Sequence, residues 1–352
     1  FKQKTAYEIY QCDWSSDVCS SDLPSLPPLF TPCHNGAMAY APDPSKPFDR
    51  TAVRRHRDRA APGFRDHAFL FEEIGARLLD RLADIRRPFP YVLELGCRDG
   101  HLSSPLAAMA SEGFVRCDVS EAMAKAARER TPRMPTLVAD EEVLPFRDGS
   151  FDLVISNLAF HWVNDLPGML TQIRRVLRPD GLLLASLFGG ETITELRASL
   201  LAADVAVSDG ASSRVSPFCD VRDAAHLLSR AGLALPVADV DRISVTYRDA
   251  LALMRELRGM GETNALILRQ RRFTRRETIA AAAAHYAREF SADDDRDRIY
   301  ATFEVIYLAA WCPHQDQQKP LRPGSATTRL ADALGSREEP TGDSAQADPK
   351  EP

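Results

Sequence analysis

From Phe69 onward, apolar residues recur at three- and four-residue steps. Phe69, Leu70, Ile74, Leu78, Leu79 and Leu82 make one stripe of a helix. The helical reading covers Phe48 to Arg87, and "PFP" (Pro88–Pro90) stops it. There the period changes. Short apolar runs now alternate with helical patterns: strand Tyr91–Leu95, helix Leu102–Ser111, strand Phe114–Asp118, helix Glu121–Glu129 and strand Thr136–Ala139. Strand Phe151–Ser156, helix Leu166–Leu177, the turn "RPDG" and strand Leu182–Phe188 continue the series. Such alternation predicts an α/β fold with a doubly wound, mostly parallel sheet.

Beyond Gly190 the alternation loosens. A helix is expected over Ile193–Ala206, then a loop with Gly210 and several serines, then "VRDAAHLLSRAGL", a helix closed by Gly232. "VADVDRISVTY" alternates like a strand, helices follow over Asp249–Arg258 and Arg275–Glu289, and Arg298–Trp311 reads as a final strand. The expected organisation is N-terminal helices over 48–87, a principal domain over 88–311 with a helical insertion at about 248–290, and an extended tail over 312–352. From about Gly335 that tail lacks apolar residues and is expected to be disordered.

The opening residues have a different character. "FKQKTAYEIYQCDWSSDVCSSDL" shows neither period and resembles a translated sequencing adapter, so residues 1–37 are read as a disordered leader and Met38 as the start. Without them four cysteines remain, Cys97, Cys117, Cys219 and Cys312, with no C-x-x-C pair. That predicts a reducing compartment, no disulfide framework and no cysteine zinc site. A hydrophobic share of 44% suits a globular chain, and no apolar run approaches the roughly 20 residues of a membrane span. A cytoplasmic location follows as the expectation. The net charge of −6 gives no global attraction to nucleic acid. The basic runs "RRHRDR" (Arg54–Arg59) and "RQRRFTRR" (Arg269–Arg276) read as solvated helix faces, with peripheral membrane docking as the alternative.

Candidate chemistry gathers at four consecutive strand ends, where open α/β sheets bind ligands. The first is Glu94-Leu-Gly96-Cys97-Arg98-Asp99-Gly100, a glycine turn ahead of a helix N-terminus. Asp118 closes the next strand some twenty residues on, placed to accept two ribose hydroxyls; Val119 and Met123 follow it. "ADEEVLPF" puts Asp140 and Glu141 after the third strand, within reach of an adenine amino group. "FDLVISNLAFHW" sends Asn157 and Leu158 off the fourth, with His161 and Trp162 behind. Each has a plainer reading: Asp118 as a helix cap, Asp140 and Glu141 as solvated loop acids, Asn157 as a turn residue, His161-Trp162 as a packed aromatic corner. The spacing Gly96-x-x-x-Gly100 does not match the G-x-G-x-x-G of dinucleotide folds.

This constellation, with "VLRPDGLLLAS" before the fifth strand, resembles class I S-adenosylmethionine-dependent methyltransferases. The resemblance implies a seven-stranded Rossmann-like sheet with N-terminal helices and C-terminal helical additions. It assigns S-adenosylmethionine to Glu94, Gly96, Cys97, Gly100, Asp118, Val119, Met123, Asp140, Glu141, Asn157 and Leu158. "LAFHWVNDLPGMLTQIRRVLRPDG", "SLFGGETITELR", "RVSPF", "LRGMGETNAL" and "QQKPLRPGSA" resemble the complex I assembly factor 5 family more narrowly. That implies arginine hydroxylation on a protein subunit of respiratory complex I, with no nucleic-acid partner. The malonyl-carrier methyltransferase of biotin synthesis is a more distant relative, which leaves small-molecule or carrier O-methylation as an alternative. A non-catalytic assembly chaperone is another. The acceptor side is expected to involve Asn157, His161 and Tyr247, and no metal site is expected, since the eight histidines are widely spread along the chain.

Arg98 departs from the superfamily pattern, where a glycine is usual. A left-handed backbone there costs a side chain roughly 1–2 kcal/mol. Right-handed angles would let Arg98 point outward without that cost.

Overall fold

The computed structural model describes residues 46–208, 210–292, 297–318, 325 and 327–337. The adapter-like leader, Met38 and most of the tail beyond Gly335 lie outside them. The chain divides into two units after His314.

In the first unit, α1 (Arg50–Ala60) leads through a 3-10 segment (Ala61–His67) into α2 (Phe69–Ala83). The helical stretch expected over Phe48–Arg87 thus contains two α-helices. Pro62 has no amide hydrogen for the α1 ladder and its ring crowds the preceding turn, so the chain bends there. Next come β1 (Tyr91–Leu95), α3 (Ser103–Met109), β2 (Gly113–Asp118), α4 (Glu121–Arg130), β3 (Thr136–Val138) and β4 (Phe151–Asn157). After a 3-10 turn at Phe160–Trp162 follow α5 (Leu166–Val176), β5 (Leu177–Phe188), α6 (Thr194–Ser208), α7 (Val221–Arg230), β6 (Ala234–Tyr247), α8 (Ala250–Gly259), α9 (Arg276–Glu289) and β7 (Ile299–Trp311). Two expectations need correction. Helix α3 stops at Met109, short of Ser111. "RPDG" is no separate turn: Leu177 pairs with Phe151 and Leu182 with Leu153, so the four residues bulge within β5, with Asp180 at φ 63°.

The seven strands lie in the order β3-β2-β1-β4-β5-β7-β6. Strands β1 to β5 run parallel, and β7 lies antiparallel between β5 and β6. Both faces are covered, which is why β1, β4 and β5 read as near-continuous apolar runs. Alternate residues divide between two cores. Val92, Leu182, Leu184, Phe303 and Val305 join Phe71, Ile74 and Leu78 of α2 on one face. Leu93, Leu95, Leu183, Ala185, Ile306 and Leu308 join Leu170 and Ile173 of α5 and Leu228 of α7 on the other. A third, smaller cluster of Phe48, Ala52, Val53, Trp162, Ala265 and Leu266 stands apart and holds α1.

Side-chain caps fix the helix starts: Asp49 accepts from Ala52 N, Ser120 from Met123 N, Asp165 from Gly168 N and Asp220 from Arg222 N. Ser120, one residue after Val119, is thus the cap of α4, which frees Asp118 from that role. In the second unit, α10 (Leu330–Leu334) ends at Gly335 in the left-handed region. Among the described residues no helix is long and apolar enough to cross a membrane.

Candidate cofactor and acceptor site

The glycine loop follows β1 directly. Gly96 and Gly100 take φ 67° and 75°, and Arg98 between them takes φ 52°. Cys97 N donates to Cys117 O at 3.0 Å and Gly100 N to Cys97 O at 2.8 Å, which closes the loop. Arg98 therefore keeps the backbone shape that a glycine adopts freely. Its side chain turns inward, fully buried, and does not point outward. One nitrogen, Nη2, donates to Leu158 O at 3.2 Å and to Glu262 Oε1 at 2.6 Å, and the guanidinium stacks 5.1 Å from the Phe71 ring centre. Leu158, at φ 49°, is a second left-handed residue without glycine's freedom. Strained backbones in direct contact at the ends of β1 and β4 mark the place where packing overrides local preference.

The strand-end acids converge as expected, but they are already partnered. Asp118 Oδ1 accepts from Ser120 N at 2.9 Å and from Arg57 Nη1 at 3.2 Å, while Oδ2 accepts from Arg98 N at 3.1 Å. Glu141 Oε1 accepts from the same Arg57 nitrogen at 2.8 Å, and Oε2 from Arg50 Nη2 at 2.5 Å. Arg50 also holds Asp140 at 2.5 Å. Arg57, Asp118 and Glu141 are each 0% exposed. Burial would raise the Glu141 carboxyl, but Arg57 and Arg50 outweigh it and hold the group well below its ordinary range. The "RRHRDR" run is therefore not wholly a solvated face: Arg57, on the inner side of α1, is core. Asp140 and Glu141 are not free loop acids either.

Glu94 sits beneath the loop, accepting from Ser103 Oγ at 2.6 Å. Burial raises it from 4.5 to about 7, against opposing effects of Ser103, His101 and Arg116. The folded state then holds the extra proton between those values, so stability falls as pH rises across that window and the loss is complete above about 7. In the Glu94→Gln variant this dependence should vanish. Urea unfolding should show the variant gaining about 3 kcal/mol on wild type between pH 4.5 and 8, and parallel pH profiles would sink the assignment.

Asn157 is a cross-link. Its Nδ2 donates to Phe71 O at 2.8 Å and lies 3.1 Å from His101 Nε2, and its Oδ1 accepts from Ser186 Oγ at 2.9 Å. His161 Nε2 lies 2.9 Å from Glu262 Oε2, which also accepts from Trp162 Nε1 at 2.6 Å. Burial lowers the His161 pKa against the pull of Glu262, so the ring is neutral near pH 7, with a buried Nδ1 that has no hydrogen-bond partner among the described residues. Tyr247 sits apart: its ring packs into the α2-side core and its hydroxyl has no partner among the described residues. Val119 is buried beside the acids, and the Met123 side chain enters the same core as Phe71.

Glu262 escaped sequence reasoning. His161 and Arg98, with Arg57 adding to them, offset its burial and hold it at about 2. Its sequence signals were the family-like segment "LRGMGETNAL" and, within it, the glycine pair Gly259 and Gly261, the latter at φ 80°, which turns the chain after α8 and delivers Glu262 to the sheet. The same carboxylate lines a cavity of about 600 Å³, walled by Phe188, Phe218, Met254, Leu257 and Phe303 among others.

The sheet order with one antiparallel strand, the glycine loop and the strand-end acids define a class I S-adenosylmethionine-dependent methyltransferase fold. Residues 93–185 match the sequence family described as a methyltransferase domain. Arginine-hydroxylase NDUFAF5, mitochondrial, of Danio rerio is 39% identical over 289 residues, covering 81% of this chain and 88% of that protein. The Homo sapiens protein of that name is 40% identical over 287 residues, 81% and 82% of the two chains. Malonyl-[acyl-carrier protein] O-methyltransferase of Methylovorus sp. is 37% identical over 276 residues, 76% and 90%. The chain belongs to the arginine-hydroxylase NDUFAF5 family, within the methyltransferase superfamily.

S-adenosylmethionine is the cofactor of that superfamily, and the chemistry of the donor and acceptor set fits it. Asp118 and Glu141 are acceptors suited to ribose and an exocyclic amine. Arg98 Nε and Nη1 are buried donors without partners among the described residues, suited to a carboxylate. When bound, the cofactor supplies a methyl group on an electrophilic sulfonium.

Proposed function

We propose that this protein modifies an arginine side chain on a protein subunit of respiratory complex I while that complex is assembled. The observation carrying the proposal is the likeness, along most of both chains, to relatives named arginine-hydroxylases. The cavity supports it. An arginine side chain has an aliphatic stem and a cationic head, and the cavity offers aromatic and aliphatic walls with the ionised Glu262 among them. Within this reading Glu262 orients the head, neutral His161 stands on the acceptor side as the residue able to take a proton at Nδ1, and Asn157 holds the end of β4 against α2. The work is placed in the cytoplasm, beside the membrane that carries the complex. Any peripheral contact runs through the exposed Arg271, Arg272 and Phe273.

Mass spectrometry of the subunit after aerobic incubation with the protein, S-adenosylmethionine and a two-electron reductant tests the proposal, because inserting one atom of dioxygen requires the other to be reduced to water. Gain of one oxygen on an arginine is expected. Gain of one methylene would replace hydroxylation by methyl transfer. An unmodified subunit whose assembly still depends on the protein would favour a chaperone. Growth restored to a biotin-requiring strain would favour the carrier O-methyltransferase reading.

A further inference from the structure

Helix α1 and the segment from Glu262 to Arg269 are tied to each other. Asp49 N donates to Ala265 O at 2.8 Å, Arg269 Nη2 to the Asp49 carboxylate at 2.9 Å, and His56 Nδ1 lies 3.0 Å from Thr263 O. Their shared apolar cluster belongs to neither main core, and Trp162 is its one contribution from the sheet side. Towards the sheet the same two segments are fastened by charge, reciprocally. From α1, Arg57 and Arg50 reach Asp118, Glu141 and Asp140; from the facing segment, Glu262 reaches Arg98. Every carboxylate oxygen of Asp118 and Glu141 is engaged, and neither acid is exposed to solvent. Yet the closed arrangement leaves four guanidinium nitrogens of Arg57 and Arg98 buried without partners among the described residues. Buried donors without partners are uncommon and call for a physical explanation. The 3-10 segment after α1 supplies a joint at Pro62-Gly63, where Gly63 has open space around it.

We propose that α1 and Glu262–Arg269 form an ionic lid over the cofactor cleft, in which Arg57 occupies the carboxylates of Asp118 and Glu141 in the cofactor's place. Cofactor binding exchanges the Arg57 bonds for ribose and amine bonds to the same acids and releases α1. Arg57 thereby sets cofactor affinity as a competitor within the chain. The inference rests on the cofactor reading above and deepens it.

Two measurements on the full chain test it. Titration calorimetry with S-adenosylhomocysteine should show Arg57→Met binding on the order of tenfold more tightly than wild type. Hydrogen exchange on wild type should show the ligand speeding exchange in Arg50–Ala60 while slowing it in Gly96–Gly100, an outcome that needs no variant to fold. If wild type binds but Arg57→Met binds equally or more weakly, or α1 becomes more protected on binding, the lid is wrong and the cofactor reading stands. If neither protein gives heat at millimolar ligand, both fall together.

Discussion

Replacing Glu262 with leucine should lower the unfolding free energy by about 3–5 kcal/mol, the usual cost of leaving a buried charge without its partner. Arg98 is fully buried, and among the described residues Glu262 is its one carboxylate within ion-pair distance. His161 Nε2 and Trp162 Nε1 would lose the same acceptor. The loss has a pH signature with a definite sign. A carboxyl held at about 2 stabilises the fold fully above its unfolded value near 4.5, and that contribution disappears as pH falls towards 2. Wild type should therefore shed on the order of 3 kcal/mol through this group over that acid window, and Glu262→Leu should not. Removing both charges separates pairing from packing. Arg98→Met combined with Glu262→Leu should be much less destabilised than the sum of the single variants, because neither side retains an unpaired charge. Additive losses in urea unfolding would show that the two groups do not act as a pair.

Gly96→Ala is expected to cost about 2–5 kcal/mol, combining left-handed strain with overpacking. Gly96 holds φ 67°, and a methyl there would overlap the Ala159 side chain. The two contributions can be split. Ala159→Gly in the same chain should relieve the overlap but not the backbone strain, leaving a residual deficit of about 1–2 kcal/mol by thermal unfolding. No recovery in the double variant would mean that crowding against Ala159 is not the cause.

Strands, helices and the four strand ends were legible because each depends on neighbours within a few residues: alternation, turn chemistry and caps. The glycine loop and Asp118 were recognisable for the same reason, since their meaning lies in where they stand relative to β1 and β2. Helices in the plural were expected over 48–87, but no boundary between them was assigned, and the structure puts it at Pro62-Gly63. The state of the site was not legible. Arg57 lies 61 residues from Asp118 and 84 from Glu141, and Arg98 lies 164 from Glu262. No periodic pattern connects residues at such separations, so a basic run looks solvated whether or not one of its members is buried.

The sequence by itself determined the order and type of the elements, the class of sheet and the acids at its carboxyl edge, because short-range sterics and periodic burial decide these. Only the tertiary structure decided that Arg98 keeps a glycine's backbone while turning inward, that Arg57 pairs with the acids, and that Glu262 meets Arg98, His161 and Trp162. The physical reason is that a charge can be buried only where partners from distant segments meet it, and that meeting is a property of the folded chain.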